Sequence, residues 1–185
     1  MVVALSPDGV LSLVEDPVGR SPSPHRLLVV WHSRTGAAEQ AAHALAAGAR
    51  AGGEDALLVR AEAAAPDQML AARAYVFVCP ENLGTMSGAM KEFFDRCYYP
   101  LLGAIEGRSY ATIVTAGSAG QGAQAQIDRI VTGWRLRRVQ PGLIIDCAAQ
   151  TPAEILAPKK LSAAAKSQCC ELGQGFAAGL DIGVF

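Results

Sequence analysis

Five short apolar runs recur along the chain, at LLVVW (27–31), ALLV (56–59), YVFV (75–78), YATIV (110–114) and LII (143–145). They are short for helices and rich in Val and Ile, and most show little polar alternation. That is the pattern of strands covered on both faces, as in a parallel sheet. Between them lie segments with helical spacing, at 36–51, about 66–73, 87–99, about 121–135 and 151–178. Strand–helix alternation of this kind predicts a doubly wound α/β three-layer sandwich. With five parallel strands, the natural order is 2-1-3-4-5.

A length of 185 residues fits one such domain with a single sizeable core. Residues 1–25, with SPDG and GRSPSPH, have turn and linker chemistry and read as an N-terminal extension: a hairpin, a surface strap or a tail. The sandwich itself is expected over 26–185. A net charge of -1 offers no basic field for nucleic acid and no acidic one for a basic partner. No apolar run approaches the roughly 20 residues of a membrane helix. The N-terminus lacks early positive charge and carries Asp8 and Glu15, against a secretory signal. Cys79, Cys97, Cys147, Cys169 and Cys170 are odd in number with no CxxC pair, which suits free thiols in a reducing cytoplasm.

In a sheet of this order, ligands bind beyond the carboxyl ends of the strands, where strand order reverses. Three loops meet there. The first is HSRTGAAE, in which Ser33 and Thr35 offer hydroxyls, and Gly36 lets the backbone turn so that free N–H groups of a helix start face the loop. A phosphate and a plain N-cap explain that pattern equally well. No GxxxxGK[ST] or GxGxxG occurs there, and no acidic cluster gathers at the first strand end, so the phosphate site that remains is a metal-free one. The second loop opens CPENLGTMSGAMKEFFDRCYYP (79–100), where Pro80, Asn82 and Gly84 make a rigid turn and MKEFFDR reads as an amphipathic core helix. The third is TAGSAGQGAQAQ (115–126), glycine-rich, with Ser118 and Gln121 as its polar side chains. Trp31, His32 and His43 read as structural, and Arg34 as a side chain leaving the first loop toward solvent.

Together these motifs, over about residues 26–180, resemble the flavodoxin-like flavoproteins, in particular the NADPH-dependent FMN reductase and WrbA-like quinone reductase branch. HSRTG resembles that family's phosphate loop. PENLGTMSGAMKEFFDR resembles its isoalloxazine loop and following helix, in the pattern Pro-x-x-x-Gly-x-Met-Ser-x-x-(Met/Leu)-Lys-x-Phe-x-Asp, and GSAGQG is similar to its third loop. The resemblance implies bound FMN. Ser33, Arg34, Thr35, Gly36, Ala37 and Ala38 would surround its phosphate. Pro80, Glu81, Asn82, Leu83, Gly84 and Thr85 would line its ring, and Gly117, Ser118, Gly120, Gln121 and Gly122 would cover the opposite side. Two departures stand out: relatives place Thr or Asn where this chain has Ala37 and Ala38, and aromatics where it has Leu83 and Thr85. Each loss is worth on the order of 1 kcal/mol of affinity.

The function so implied is an FMN-dependent oxidoreductase that passes hydride from NAD(P)H through the flavin to a quinone, free flavin or similar acceptor. The cofactor carries the chemistry, so no acid, base, nucleophile or metal ligand is nominated. Backbone amides near residues 82–85 would stabilise negative charge on the reduced ring. A flavodoxin-type electron carrier is the alternative, which the net charge of -1 disfavours. A module that kept the fold but lost productive FMN binding is another. The resemblance also implies a homodimer or homotetramer, with FFDRCYYPLLG either at the contact or in the core.

Overall fold

The computed structural model describes residues 3–5, 11–13 and 26–185. β1 (Val3–Leu5) and β2 (Leu11–Leu13) pair antiparallel as a small sheet of their own. The linker expected before Arg26 lies outside the described residues. From Arg26 onward the chain alternates as β3 (Leu27–Trp31), α1 (Ala37–Ala51), β4 (Leu57–Arg60), α2 (Pro66–Ala71), β5 (Ala74–Asn82) and the short β6 (Thr85–Met86). It continues as α3 (Gly88–Leu101), β7 (Ser109–Ala116), α4 (Gln121–Gly133), β8 (Arg137–Arg138), β9 (Leu143–Asp146), α5 (Pro152–Leu156) and α6 (Ala163–Asp181).

The parallel strands lie in the order β4-β3-β5-β7, with β8 and β9 both pairing with β7 on its far side. Together β8 and β9 fill the fifth position, so the expected 2-1-3-4-5 sandwich is present. The fifth strand is broken, however. Ser109 pairs with Arg137 and Ile113 with Leu143, so six residues there span what β7 spans in four. Pro141 has no N–H for the ladder and Gly142 follows it, and the interruption falls there.

Alternating side chains divide the core into two layers. Leu28, Val30, Tyr75, Phe77, Cys79, Tyr110 and Val114 face α2, α3 and α4, where Phe77, Phe93, Phe94 and Trp134 form an aromatic cluster with neighbouring centroids 5.1–5.5 Å apart for Phe77–Phe94, Phe93–Phe94 and Phe94–Trp134. Leu27, Val29, Val76, Val78, Ala111 and Ile113 face α1 and α6. That second layer is thin because α1 is alanine-rich and the two helices meet at glycine. A Cβ on Gly48 would lie 1.9 Å from the Cys170 carbonyl oxygen, and one on Gly173 2.0 Å from that of Leu45. In the FFDRCYYPLLG segment, Phe93, Phe94, Cys97 and Leu101 are core, while Tyr99 and Leu102 face outward.

The single helix expected over 151–178 is two. Ala157 takes an extended backbone ahead of Pro158, as residues before proline do, and α6 restarts where the Ser162 hydroxyl accepts the Ala165 N–H at 3.1 Å.

The glycine contact is testable. Alanine is the better helix former by roughly 1 kcal/mol, yet Gly173→Ala is expected to lower stability by about 1–3 kcal/mol through overpacking. A urea midpoint that falls with an unchanged slope would show it. Gly175, on the same helix with open space around its Cα, should accept alanine without loss.

Candidate functional site

Where strand order reverses, between β3 and β5, the carboxyl edge of the sheet opens into a cavity of about 390 Å³. The three loops line it, and so does a fourth segment that the sequence pattern did not mark: Cys147, Ala149, Ile155, Leu156 and Lys159.

The first loop is shaped from behind. The His32 N–H donates to the Val78 carbonyl at 3.0 Å, extending the sheet by one bond beyond Trp31. The Ser33 hydroxyl oxygen accepts the Gly36 N–H at 3.0 Å, and Gly36 turns the chain with φ +93°, which its lack of a Cβ permits. α1 then begins with no side-chain cap. Arg34, Thr35 and Ala37 line the cavity, and Arg34 is exposed as expected. Ala38 is buried in the core beneath it.

The second loop is a hairpin. β5 runs on through Pro80, Glu81 and Asn82, and Asn82 pairs with Thr85 of β6 across a two-residue turn. Leu83 and Gly84 both have positive φ, 52° and 75°, as the tight type I′ turn requires. A leucine there costs on the order of 1–3 kcal/mol, and its side chain is fully exposed. Pro80 through Gly84 line the cavity, whereas the Thr85 hydroxyl turns to the Met86 carbonyl at 2.9 Å.

The hairpin docks on α4. The Glu81 carboxylate accepts the Gly120 and Ala123 N–H groups, each at 2.9 Å, and Gln126 accepts the Met86 N–H at 3.1 Å. The Gly84 carbonyl sits so close to α4 that a Cβ on Gly122 would lie 2.1 Å from it. Gly117 and Ser118 line the cavity with Thr115, Ala116 and Ala119. Gly120, Gln121 and Gly122 instead form the start of α4 and its contact with the hairpin.

The fourth segment arches from the third loop to the first. At one end the Ala149 N–H donates to the Gly117 carbonyl at 2.9 Å, and a Cβ on Gly117 would lie 2.4 Å from the Ala149 oxygen. At the other end the Lys159 N–H donates to the Thr35 carbonyl at 2.7 Å. Gln40 of α1 locks this end: its amide donates to the carbonyls of Gly36 (2.9 Å) and Lys159 (2.7 Å) and accepts the Leu161 N–H at 3.2 Å. Ala148, near the start of the arch, also has a positive φ of 48°. Strained non-glycine backbone thus flanks the cavity on two sides, at Leu83 and Ala148. Pro158 is a local signal that the chain breaks here.

His32 points away from the cavity, into a hydrogen bond of 2.9 Å between its Nδ1 and the buried Ser87 hydroxyl. Burial, opposed by the Glu62 carboxylate and reinforced by Arg60 and Arg34, holds its pKa below the ordinary 6.5. Burial likewise pushes the Cys147 thiol up. Among the described residues, no three His, Cys, Asp or Glu side chains gather as a metal site, and no helix is long and apolar enough to cross a membrane.

The family model for NADPH-dependent FMN reductases matches residues 60–145. A flavodoxin of Aquifex aeolicus (strain VF5) is 31% identical over 108 residues, which cover 58% of this chain and 58% of that protein. Among solved structures, a flavodoxin from the domain Archaea superposes with a TM-score of 0.69 at 18% identity, covering 84% of this chain and 98% of the other. The WrbA-like flavodoxin from Agrobacterium tumefaciens gives 0.64 at 19% identity, covering 82% and 94%. The chain therefore has the flavodoxin-like fold, and the family match spans the second and third loops but not the first.

Two outcomes follow from these contacts. Gln40→Ala should cost about 1–3 kcal/mol of stability and speed amide exchange at Lys159 and Leu161, measured by hydrogen exchange. His32 should titrate below 6.5 by NMR, and Glu62→Gln should move it lower still, because the carboxylate favours the protonated ring. Since the folded chain resists protonating His32, its contribution to stability is complete above pH 6.5 and declines as pH falls.

Proposed function

We propose that this cavity binds FMN and that the protein is an FMN-dependent oxidoreductase, taking hydride from NAD(P)H and passing electrons to a quinone, flavin or similar small acceptor. The observation that carries the proposal is a contrast between two helix N-termini at the same sheet edge. That of α4 is closed by the Glu81 carboxylate. That of α1 has no side-chain cap, and the loop ahead of it puts Arg34 and Thr35 on the cavity. Unpaired N–H groups and the positive end of the helix dipole favour an anion there.

The residues present fit a flavin phosphate without metal help. The Ser33 hydroxyl, having accepted the Gly36 N–H, keeps its own proton to donate. Alanine at 37 and 38 removes side-chain donors but leaves their backbone N–H groups at the helix start. The cavity volume lies within the range of small-molecule sites. When bound, FMN would supply the two-electron chemistry that no side chain here can. The hairpin and third loop would orient the ring, and the hairpin amides would face charge gained on reduction. NADPH as reductant is supported by the description of the matching family model.

A one-electron carrier is the second reading, supported by the Aquifex relative, which is a flavodoxin. A net charge of -1 gives such a carrier little field for docking a basic partner. Five free thiols suit a cytoplasmic setting, and Tyr99 and Leu102 offer an outward face for a homodimer or homotetramer contact.

Titrating the purified protein with FMN and with riboflavin tests the proposal. FMN should bind stoichiometrically and raise the melting temperature, riboflavin should bind several-fold more weakly, and NADPH or NADH should bleach the bound flavin with no added reductase. Bleaching only through a separate reductase would favour the carrier. No binding and no stabilisation would leave a module without flavin.

A further inference from the structure

We propose that the ring of the bound flavin is held by aliphatic side chains alone, Leu83 from the hairpin and Ile155 and Leu156 from the arch, so that bound FMN keeps its fluorescence. This rests on the FMN assignment above and specifies how the same cavity grips its ligand.

α5 is unusual in having no buried residue. It is held by its ends. Thr151 accepts the Glu154 N–H at 3.3 Å, and the Glu154 carboxylate accepts the Gln150 and Thr151 N–H groups at 3.0 and 2.9 Å. The Lys159 ammonium donates to the carbonyls of Glu154, Ile155 and Ala157 at the other end. A helix fastened in this way without a packed face leaves its apolar side chains free for another partner. Ile155 and Leu156 are 50% and 65% exposed, and both line the cavity. Leu83 is fully exposed on the same cavity, in a backbone conformation that disfavours leucine. Scattered surface leucines need no explanation, but three large aliphatic side chains converging on one concave site do. A flat apolar ring would cover them and gain their buried area.

Among the described residues, no aromatic lines this cavity. The aromatic cluster lies on the α2–α4 side of the sheet. Trp31 is buried at the end of β3, with the Arg60 guanidinium 4.7 Å from its ring centroid and His43 tilted against it at 6.1 Å. Residues 1–25 contain no Phe, Trp or Tyr, so that segment cannot supply one. A stacked indole or phenol donates electron density to an excited flavin and quenches its emission; methyl and methylene groups do not.

The test uses the full chain with FMN, the bound fraction being measured by equilibrium dialysis and the emission of that fraction by fluorescence. The wild type should retain most of the emission of free FMN. Leu156→Trp, at an exposed position, should lower it several-fold, and Leu83→Trp should do the same, since tryptophan makes the same backbone demand as the leucine it replaces. Leu102→Trp, on the outward end of α3, should leave it unchanged. Near-complete quenching in the wild type, by an aromatic from a second copy or a rearranged loop, overturns the proposal while FMN binding stands. Unchanged emission and affinity in both cavity variants overturns it as well, because the aliphatic walls would then not touch the ring. If no FMN is retained, this proposal and the FMN assignment fall together.

Discussion

A parallel sheet buried on both faces holds a polar side chain inside only where a hydrogen-bond partner meets it. All eight residues of β7 are buried, and β3 is buried along its length. Their backbone groups are consumed by the ladder and most of their side chains by two apolar layers, while the buried Thr112 hydroxyl of β7 donates to the Gln124 side-chain oxygen at 2.6 Å. Free N–H groups and strained turns are therefore displaced to the strand ends. At the carboxyl end, the reversal of order between β3 and β5 parts the neighbouring loops and leaves a cavity. The position of the site is a consequence of covering the sheet.

The two coats differ, and the difference matters for the site. On the α3–α4 face, large aromatic rings fill the space between sheet and helices. On the α1–α6 face, alanine and glycine bring helix backbones close together. Gln40 of α1 is thereby placed to reach both the first loop and the residues leading into α6. The tight helix pair and the arch across the cavity are thus mechanically continuous.

Electrostatic selection between the two helix starts comes from one carboxylate. Glu81 stands on a β-strand that outruns the parallel sheet by two residues, and the hairpin turn carries its backbone onto α4, where only glycine fits at 122. With α4 satisfied by Glu81, α1 is the helix start left without a side-chain cap. The arch contributes the opposite character, an apolar wall maintained by caps instead of packing.

Much of this was legible without coordinates. The five apolar runs and their helical spacers determined the sandwich and its strand order, because burial on two faces demands uninterrupted apolar stretches and right-handed crossovers demand helices between them. HSRTG and PENLG marked two cavity walls, since glycine and hydroxyl residues at a strand–helix junction carry their meaning locally. The rest required tertiary structure. Glu81 reads as one more loop residue until its 39-residue reach to Gly120 is seen. Gln40 reads as a helix surface residue until Lys159 arrives beside it, 119 positions later. Ile155 and Leu156 looked like one turn of a long helix. Local spacing encodes which residues share a face; which distant segments those faces meet is decided only when the sheet closes and the chain returns across its edge.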